Sequence, residues 1–285
     1  MSEPINNHYL PVFYLKQWAG EDGRIVRYHR PHQRVVCHPI SPSNTGYEPH
    51  LYALDGYPTE KRQAIETEFL GPMVDSPSAT ALQKLIYTPN GLDSNHRGAW
   101  TRFLISLLLR NPESLANIQE KGRQVLVQQL ATQPEYYEAI KRPTDPSTLF
   151  EWIVQNEKHL LDNFGKHALP HLINSELLGQ TIFGMHWCVV KFPGSAQSLL
   201  TSDRPVILTA PLKDQNCILA LPVGPQSAFF ACRENSILQE ALGKNTPTGV
   251  VKALNVSLAA GAQKHVYGAD RTHLAIVEKR FQKSL

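Results

Sequence analysis

Three textures of hydrophobic and polar positions follow one another along the chain. Between Val12 and Leu54, short segments alternate apolar with polar side chains, as in Arg24-Ile25-Val26-Arg27-Tyr28 and Gln33-Arg34-Val35-Val36-Cys37. A period of two marks half-buried strands, and Arg30-Pro31-His32 supplies turn chemistry between them, so a β-hairpin is predicted. From about Pro58 to Phe183 the spacing changes to threes and fours. It is clearest from Asp93 to Arg110, where Trp100, Phe103, Leu104, Leu107 and Leu108 recur on a helical period. Ile105 and Leu109 carry apolar character onto other faces, which predicts a helix at the centre of the molecule. Gly71-Pro72, Asn111-Pro112 and Lys141-Arg142-Pro143 are predicted to break the helical stretch, the first of them ending a helix begun near Thr59.

Strand texture returns at His186. The runs Trp187–Phe192, Ser198–Leu200, Pro205–Leu208, Ile218–Pro222 and Ala228–Cys232 are predicted strands, and a last helix is predicted from about Thr248 to Lys264. No internal repeat interrupts this order. Strands clustered apart from helices predict an α+β fold, a mainly antiparallel sheet packed with a helical region in a single compact domain. Its regions are 1–57 with the hairpin, 58–183 helical, and 184–285 strand-rich with the last helix.

With 42% hydrophobic and 19% charged residues in 285, the chain can bury a sizeable core, which excludes a disordered or fibrous class. Met1–Asn6 carries neither the basic nor the apolar part of a secretory leader, and the longest apolar run, Phe103–Leu109, is far short of a membrane span. A cytoplasmic location without membrane partners is expected. Cys37, Cys188, Cys217 and Cys232 are scattered, so reduced thiols are expected rather than disulfides. A net charge of +3 is too small to imply a polyanion partner from the whole chain, so any such claim must be local.

Candidate chemistry lies in two polar islands among apolar residues, Asn7-His8-Tyr9-Leu10-Pro11 and Thr201-Ser202-Asp203-Arg204-Pro205. Asp203, in a turn at a strand end, either orients a histidine, holds a divalent metal ion or accepts a substrate proton, or else closes an Asx-turn on nearby amides. Ser202 and Arg204 flank it as substrate-binding candidates. His8, set among Tyr9, Leu10, Phe13 and Leu15, is a candidate acid or base with a tunable imidazole, or a satisfied histidine that anchors the N-terminal segment. Arg110 ends an apolar helix, so its guanidinium either snorkels to solvent or meets an anion such as phosphate, Asp203 or Glu66. Glu66 borders the face carrying Ile65 and Phe69, whereas Glu68 points outward. Asn255 shares a face with Val251, Leu258 and Ala259 and needs partners, from the fold or from a ligand.

The hairpin adds Arg24, Arg27, Arg30 and Arg34, which either grip phosphates, with Arg27 and Arg30 as binding candidates, or protect a sheet edge. His29, His32, Cys37 and His38 resemble zinc ligands only loosely, since the strand period sends them in different directions, and no metal site is assigned to them.

Taken in order, His8-Tyr9-Leu10-Pro11 with Phe13-Tyr14-Leu15, Glu48-Pro49-His50-Leu51-Tyr52, Ile65-Glu66 with Phe69, Leu109-Arg110-Asn111-Pro112, Thr201-Ser202-Asp203 with Pro205-Val206, and Leu254-Asn255 make a distributed pattern. In these segments the chain resembles the bacterial family catalogued as domain of unknown function 4238. That resemblance brings no established activity with it. The residues themselves suggest a hydrolase, a nuclease or phosphodiesterase acting on nucleic acid or nucleotide, with His8 as acid or base, Asp203 orienting it or holding a cation, Glu66 as second carboxylate and Arg110 stabilising phosphate charge. The alternatives are a non-catalytic nucleic-acid- or protein-binding module and a purely structural polar network.

Overall fold

The helix Ser94–Leu109 forms as its spacing predicts and sits at the centre of the fold. Asp93 caps it by accepting the His96 N–H at 2.9 Å, and Arg110 closes its last turn. Trp100 and Phe103 stack at 4.9 Å between ring centroids, and Trp100 meets Phe229 of the strand region at 5.7 Å. Helix and sheet therefore share one hydrophobic core, which also takes Tyr14 and Trp18 from the N-terminal segment. This computed structural model describes residues 6–88, 92–132 and 134–281. It is 52% helical and 15% strand, an α+β domain whose strand pairings are antiparallel.

The strands in chain order are β1 (Asn6–His8), β2 (Ile25–His29), β3 (Val36–Ile40), β4 (Tyr47–Pro49), β5 (His186–Lys191), β6 (Thr201–Ser202), β7 (Ile207–Leu208), β8 (Ile218–Gly224), β9 (Ser227–Cys232) and β10 (Val266–Gly268). They form a β1-β4 pair, a sheet ordered β3-β2-β10-β6 and a sheet ordered β5-β9-β8-β7. In the second of these, β10 bridges the two ends of the chain, with Tyr267 opposite Arg27 on one side and Thr201 on the other. Two buried groups fasten the same ends together. The Tyr14 hydroxyl donates to the Pro222 carbonyl at 2.8 Å and lies 2.8 Å from Thr201 Oγ1, and Trp18 Nε1 donates to the Leu199 carbonyl at 2.7 Å.

Four expected elements differ. The helix begun at Thr59 ends earlier than expected, at Arg62, and a separate wide, π-type helix, Ile65–Asp75, runs through Gly71-Pro72 unbroken, with Gly71 O accepting from the Ser76 backbone five residues on and from Ser76 Oγ at 3.0 Å. A wide turn relieves the clash between a proline ring and the preceding turn that would break an α-helix. The second hairpin strand starts at Val36, three residues later than expected, because Arg30 donates to Gln33 O at 2.5 Å and Val35 N–H to Glu278 Oε2 at 2.6 Å. Ser198–Leu200 joins no ladder, its backbone being held by Asn255 instead. Finally, the helix predicted to reach Lys264 ends at Gly261 and is not the last element: β10 and a helix Leu274–Arg280 follow.

Candidate functional site

Two polar groups meet at Tyr9. The first is a buried charge cluster at the end of the central helix. Arg110, 0% exposed, donates from Nε to the Tyr9 carbonyl at 2.9 Å and from Nη1 to Asp75 Oδ1 at 2.8 Å, while its own carbonyl accepts the Tyr52 hydroxyl at 2.6 Å. Snorkelling is thus ruled out. Burial raises the Asp75 carboxyl pKa, against the pull of Arg110. Glu66 is pushed up to about 7, chiefly by burial, with Arg110 opposing and Asp75 adding to the rise. Its Oε2 and Arg110 Nη2 are buried without a hydrogen-bond partner among the described residues. His8, on β1, lies 3.2 Å through Nε2 from the Ser43 carbonyl and edge-on to Tyr47 at 5.2 Å. Burial lowers its pKa, the Ser43 carbonyl resists, and Arg110 adds to the lowering.

The wide helix explains why Asp75 escaped the sequence reading. Glu66 and Asp75 are nine residues apart, which sets them on opposite faces of an α-helix, whereas roughly 4.4 residues per turn in a π-helix returns them to one face.

The second group surrounds Asp203, just beyond β6. Its Oδ1 accepts the Gln263 N–H at 3.0 Å, and its Oδ2 accepts the N–H groups of Lys264 and, at 3.1 Å, His265. The carboxylate therefore gathers the backbone N–H groups of the three residues just past the C-cap, Ala262, of the helix Pro247–Gly261. The local Asx-turn expected here is not formed: the amides that Asp203 accepts lie some sixty residues away, and the local turn bond is instead the Arg204 N–H to Ser202 Oγ, at 3.2 Å. Burial raises the Asp203 pKa, against these amides and Arg204. Ser202 Oγ donates to the Arg204 carbonyl at 2.9 Å, shaping the turn, and the Arg204 guanidinium pairs with Glu113.

Asp203 and Arg204 line a cavity of about 280 Å³. Its other walls are Gln263 and Lys264, the helix start Asn111-Pro112-Glu113, and Tyr9. Asn111 caps that helix, Pro112–Ala131, by accepting the Ser114 N–H at 2.9 Å, and Pro112 fits its first turn. Lys264 pairs with Glu48 of β4. Tyr9 is held by its backbone: its N–H donates to Gly46 O at 2.9 Å and its carbonyl accepts Arg110. Gly46 has φ of +70°, and a Cβ there would lie 3.0 Å from Leu10 Cβ, so the close approach depends on glycine. Burial and the neighbouring Tyr267, Asp203 and Glu48 raise the Tyr9 phenol pKa far above its ordinary range.

The family model described as "Protein of unknown function (DUF4238)" matches residues 6–272, spanning both polar islands and the cavity between them. The chain belongs to the DUF4238 family. No curated protein and no solved structure matches it.

Of the residues singled out in this DUF4238 chain, Glu66 and Arg110 share the buried cluster, His8 stands half-buried beside it with Ser43 and Tyr47 as its contacts, and Asp203 and Arg204 line the cavity on the other side of Tyr9. Asn255 is fully buried away from both, accepting the Leu200 N–H at 2.8 Å and donating to the Ser198 carbonyl at 2.9 Å, and so braces the segment leading into β6. Arg27 donates to His38 Nε2 at 2.8 Å. Arg30 is committed to the Leu274–Arg280 helix, with Nη1 3.0 Å from Glu278 Oε1 and Nη2 donating to Glu278 O at 2.7 Å and Phe281 O at 3.2 Å. Among the described residues no cluster of three His, Cys, Asp or Glu side chains is arranged to hold a metal ion, and the two Asp203 oxygens accept three amides between them. No helix among the described residues is long and apolar enough to cross a membrane.

Sequence reasoning missed Tyr9, Asp75, Glu113 and Lys264. Glu113 had a readable signal, since Asn111-Pro112 is a helix-start pair as well as a break, and an acidic residue next in line belongs to a first turn. Asp75 and Lys264 had none, because each depends on where an irregular helix runs or stops.

Proposed function

We propose that this DUF4238 protein is a hydrolase of phosphoesters, acting on a nucleotide or on a single nucleotide unit of a nucleic acid. The observation that carries this reading is the cavity itself, where a buried carboxylate, a buried phenol and two cations share one concave space of nucleotide scale. Arg204 and Lys264 would neutralise phosphate charge. Asp203 Oδ1, which accepts one amide and keeps a lone pair, takes a proton from the attacking water as the new P–O bond forms and the ester P–O bond breaks. The leaving alkoxide takes its proton from solvent at the mouth. Arg110 is a positioning residue that acts through the Tyr9 carbonyl, with His8 and Glu66 setting the charge balance behind it.

The test is a panel of nucleoside mono-, di- and triphosphates, cyclic nucleotides and single-stranded DNA and RNA, followed for product with and without Mg²⁺ or Mn²⁺. Turnover should fall about a hundredfold or more in Arg204→Gln with an unchanged melting temperature. Absence of turnover on every member of the panel would end this reading.

A second reading, non-catalytic nucleic-acid binding, draws on a cleft of about 580 Å³ at the hairpin turn, lined by Arg30, Arg34, Lys279 and Arg280 against Glu278. Binding there would weaken steeply with salt and would be lost on replacing Arg34, Lys279 and Arg280 together.

A further inference from the structure

We propose that Glu113 and Glu48 stand in for the anion that the cavity binds, and that a phosphate group enters by displacing them from Arg204 and Lys264. This rests on the reading of the cavity as a phosphate site and adds how that site is filled.

Three observations converge. First, both cations that line the cavity are engaged by carboxylates from other elements: Arg204 by Glu113 in the first turn of Pro112–Ala131, and Lys264 by Glu48 on β4. Second, the twenty-residue helix Pro112–Ala131 begins in the cavity wall, where its N-terminal dipole favours negative charge. Glu113 is the negative group that occupies that position. Third, Tyr9 is 3% exposed and lines the same cavity, yet its hydroxyl has no hydrogen-bond partner among the described residues. The hydroxyl therefore meets the open space of the cavity with its donor uncommitted, and a phosphate oxygen would accept from it there.

The exchange is energetically easy. Both glutamates are partly exposed, Glu113 at 51% and Glu48 at 29% of their side chains, and pairs of this kind contribute little in water. A phosphate offers each cation a stronger partner, adds an acceptor for Tyr9, and releases two carboxylates into solvent. The remaining carboxylate, Asp203, has its charge shared among three amides and is not displaced.

The experiment measures inorganic phosphate binding to the full chain by calorimetry, for the wild type and for Glu113→Gln, Glu48→Gln, Arg204→Gln and Tyr9→Phe, with a melting curve for each. Removing a competing carboxylate should tighten phosphate about threefold in either glutamine variant, whereas Arg204→Gln and Tyr9→Phe should weaken it about tenfold. Unchanged or weaker binding in both glutamine variants would overturn the proposal, as would the absence of phosphate binding in the wild type at millimolar concentrations. Because Glu113 and Glu48 lie on separate elements, either variant carries the test if the other fails to fold. Phosphate binding with this pattern in a chain that hydrolyses nothing would retain the exchange and remove the hydrolase, and turnover insensitive to both glutamates would do the reverse.

Discussion

Arg110 and Asp75 form an ion pair of 2.8 Å in which the guanidinium is fully buried and the carboxylate side chain only 20% exposed. Such a pair is weak evidence for stability as a whole, but removing one partner strands the other charge in a poorly solvated place. Arg110→Ala is therefore expected to cost about 3 to 5 kcal/mol in urea unfolding, and Asp75→Asn a comparable amount. A loss under 1 kcal/mol in both would mean that water reaches the cluster. Tyr9 should also lose its fixed position in Arg110→Ala, because its carbonyl loses a donor.

How much of this was legible in the chain differs from element to element. The central helix was readable to within a residue because its period is long and Asp93 is a strong cap. The α+β arrangement was readable because strand texture clusters in two regions. β10 was not, since three residues, Val266–Gly268, carry no usable periodicity, and yet that strand joins the two ends of the chain. The site was half legible. Asp203 and Arg110 stand out as charges among apolar neighbours, but Asp203 finds its partners at Gln263, Lys264 and His265, a pairing that depends on where a distant helix stops.

Glu66 should make stability fall as pH rises. Its carboxyl is raised from 4.5 to about 7 in the folded chain, so between those values the native state holds a proton that the unfolded chain has released. Its contribution is fully present below about pH 4.5 and is lost as pH rises through about 7, on the order of 1 kcal/mol per pH unit in that window. Glu66→Gln should remove this slope and be more stable than the wild type at pH 8. Chemical unfolding at pH 5, 6, 7 and 8 checks it, and parallel curves for the two chains would contradict it.

His265 acts in the opposite direction. Burial, with Arg27, His29, Lys264 and His38 adding to it, lowers the imidazole from 6.5 to about 3. The unfolded chain then takes up a proton that the folded chain refuses, so stability is present above about pH 6.5 and is lost as pH falls towards 3. His29 and His38 are lowered by burial as well, and Arg27 contributes to both. His265→Asn should flatten the acid limb by on the order of 1 kcal/mol per pH unit below 6.5 without abolishing it, because the other two imidazoles remain. Proton NMR titration of the folded wild type should show the His265 ring resisting protonation at pH 5, and an ordinary midpoint near 6.5 would refute the assignment.

Asp203 is where structural and chemical roles overlap, and substitution separates them. Its carboxylate oxygens accept three backbone N–H groups, so Asp203→Asn exchanges one acceptor for an amide donor that faces other donors. A loss of about 1 to 3 kcal/mol is expected for that reason alone, together with loosening of residues 263–265 in hydrogen exchange. Loss of activity in this variant would therefore prove nothing about catalysis. Tyr9→Phe is the cleaner probe, because the hydroxyl it removes has no partner among the described residues while the backbone bonds of Tyr9 to Gly46 and Arg110 remain. It should leave the melting temperature within about 2 °C of the wild type and weaken phosphate-bearing ligands about tenfold, a combination that a purely structural Tyr9 would not produce. If Tyr9→Phe instead unfolds more easily and binds ligand as the wild type does, the phenol belongs to the core and the cavity has lost its most specific contact.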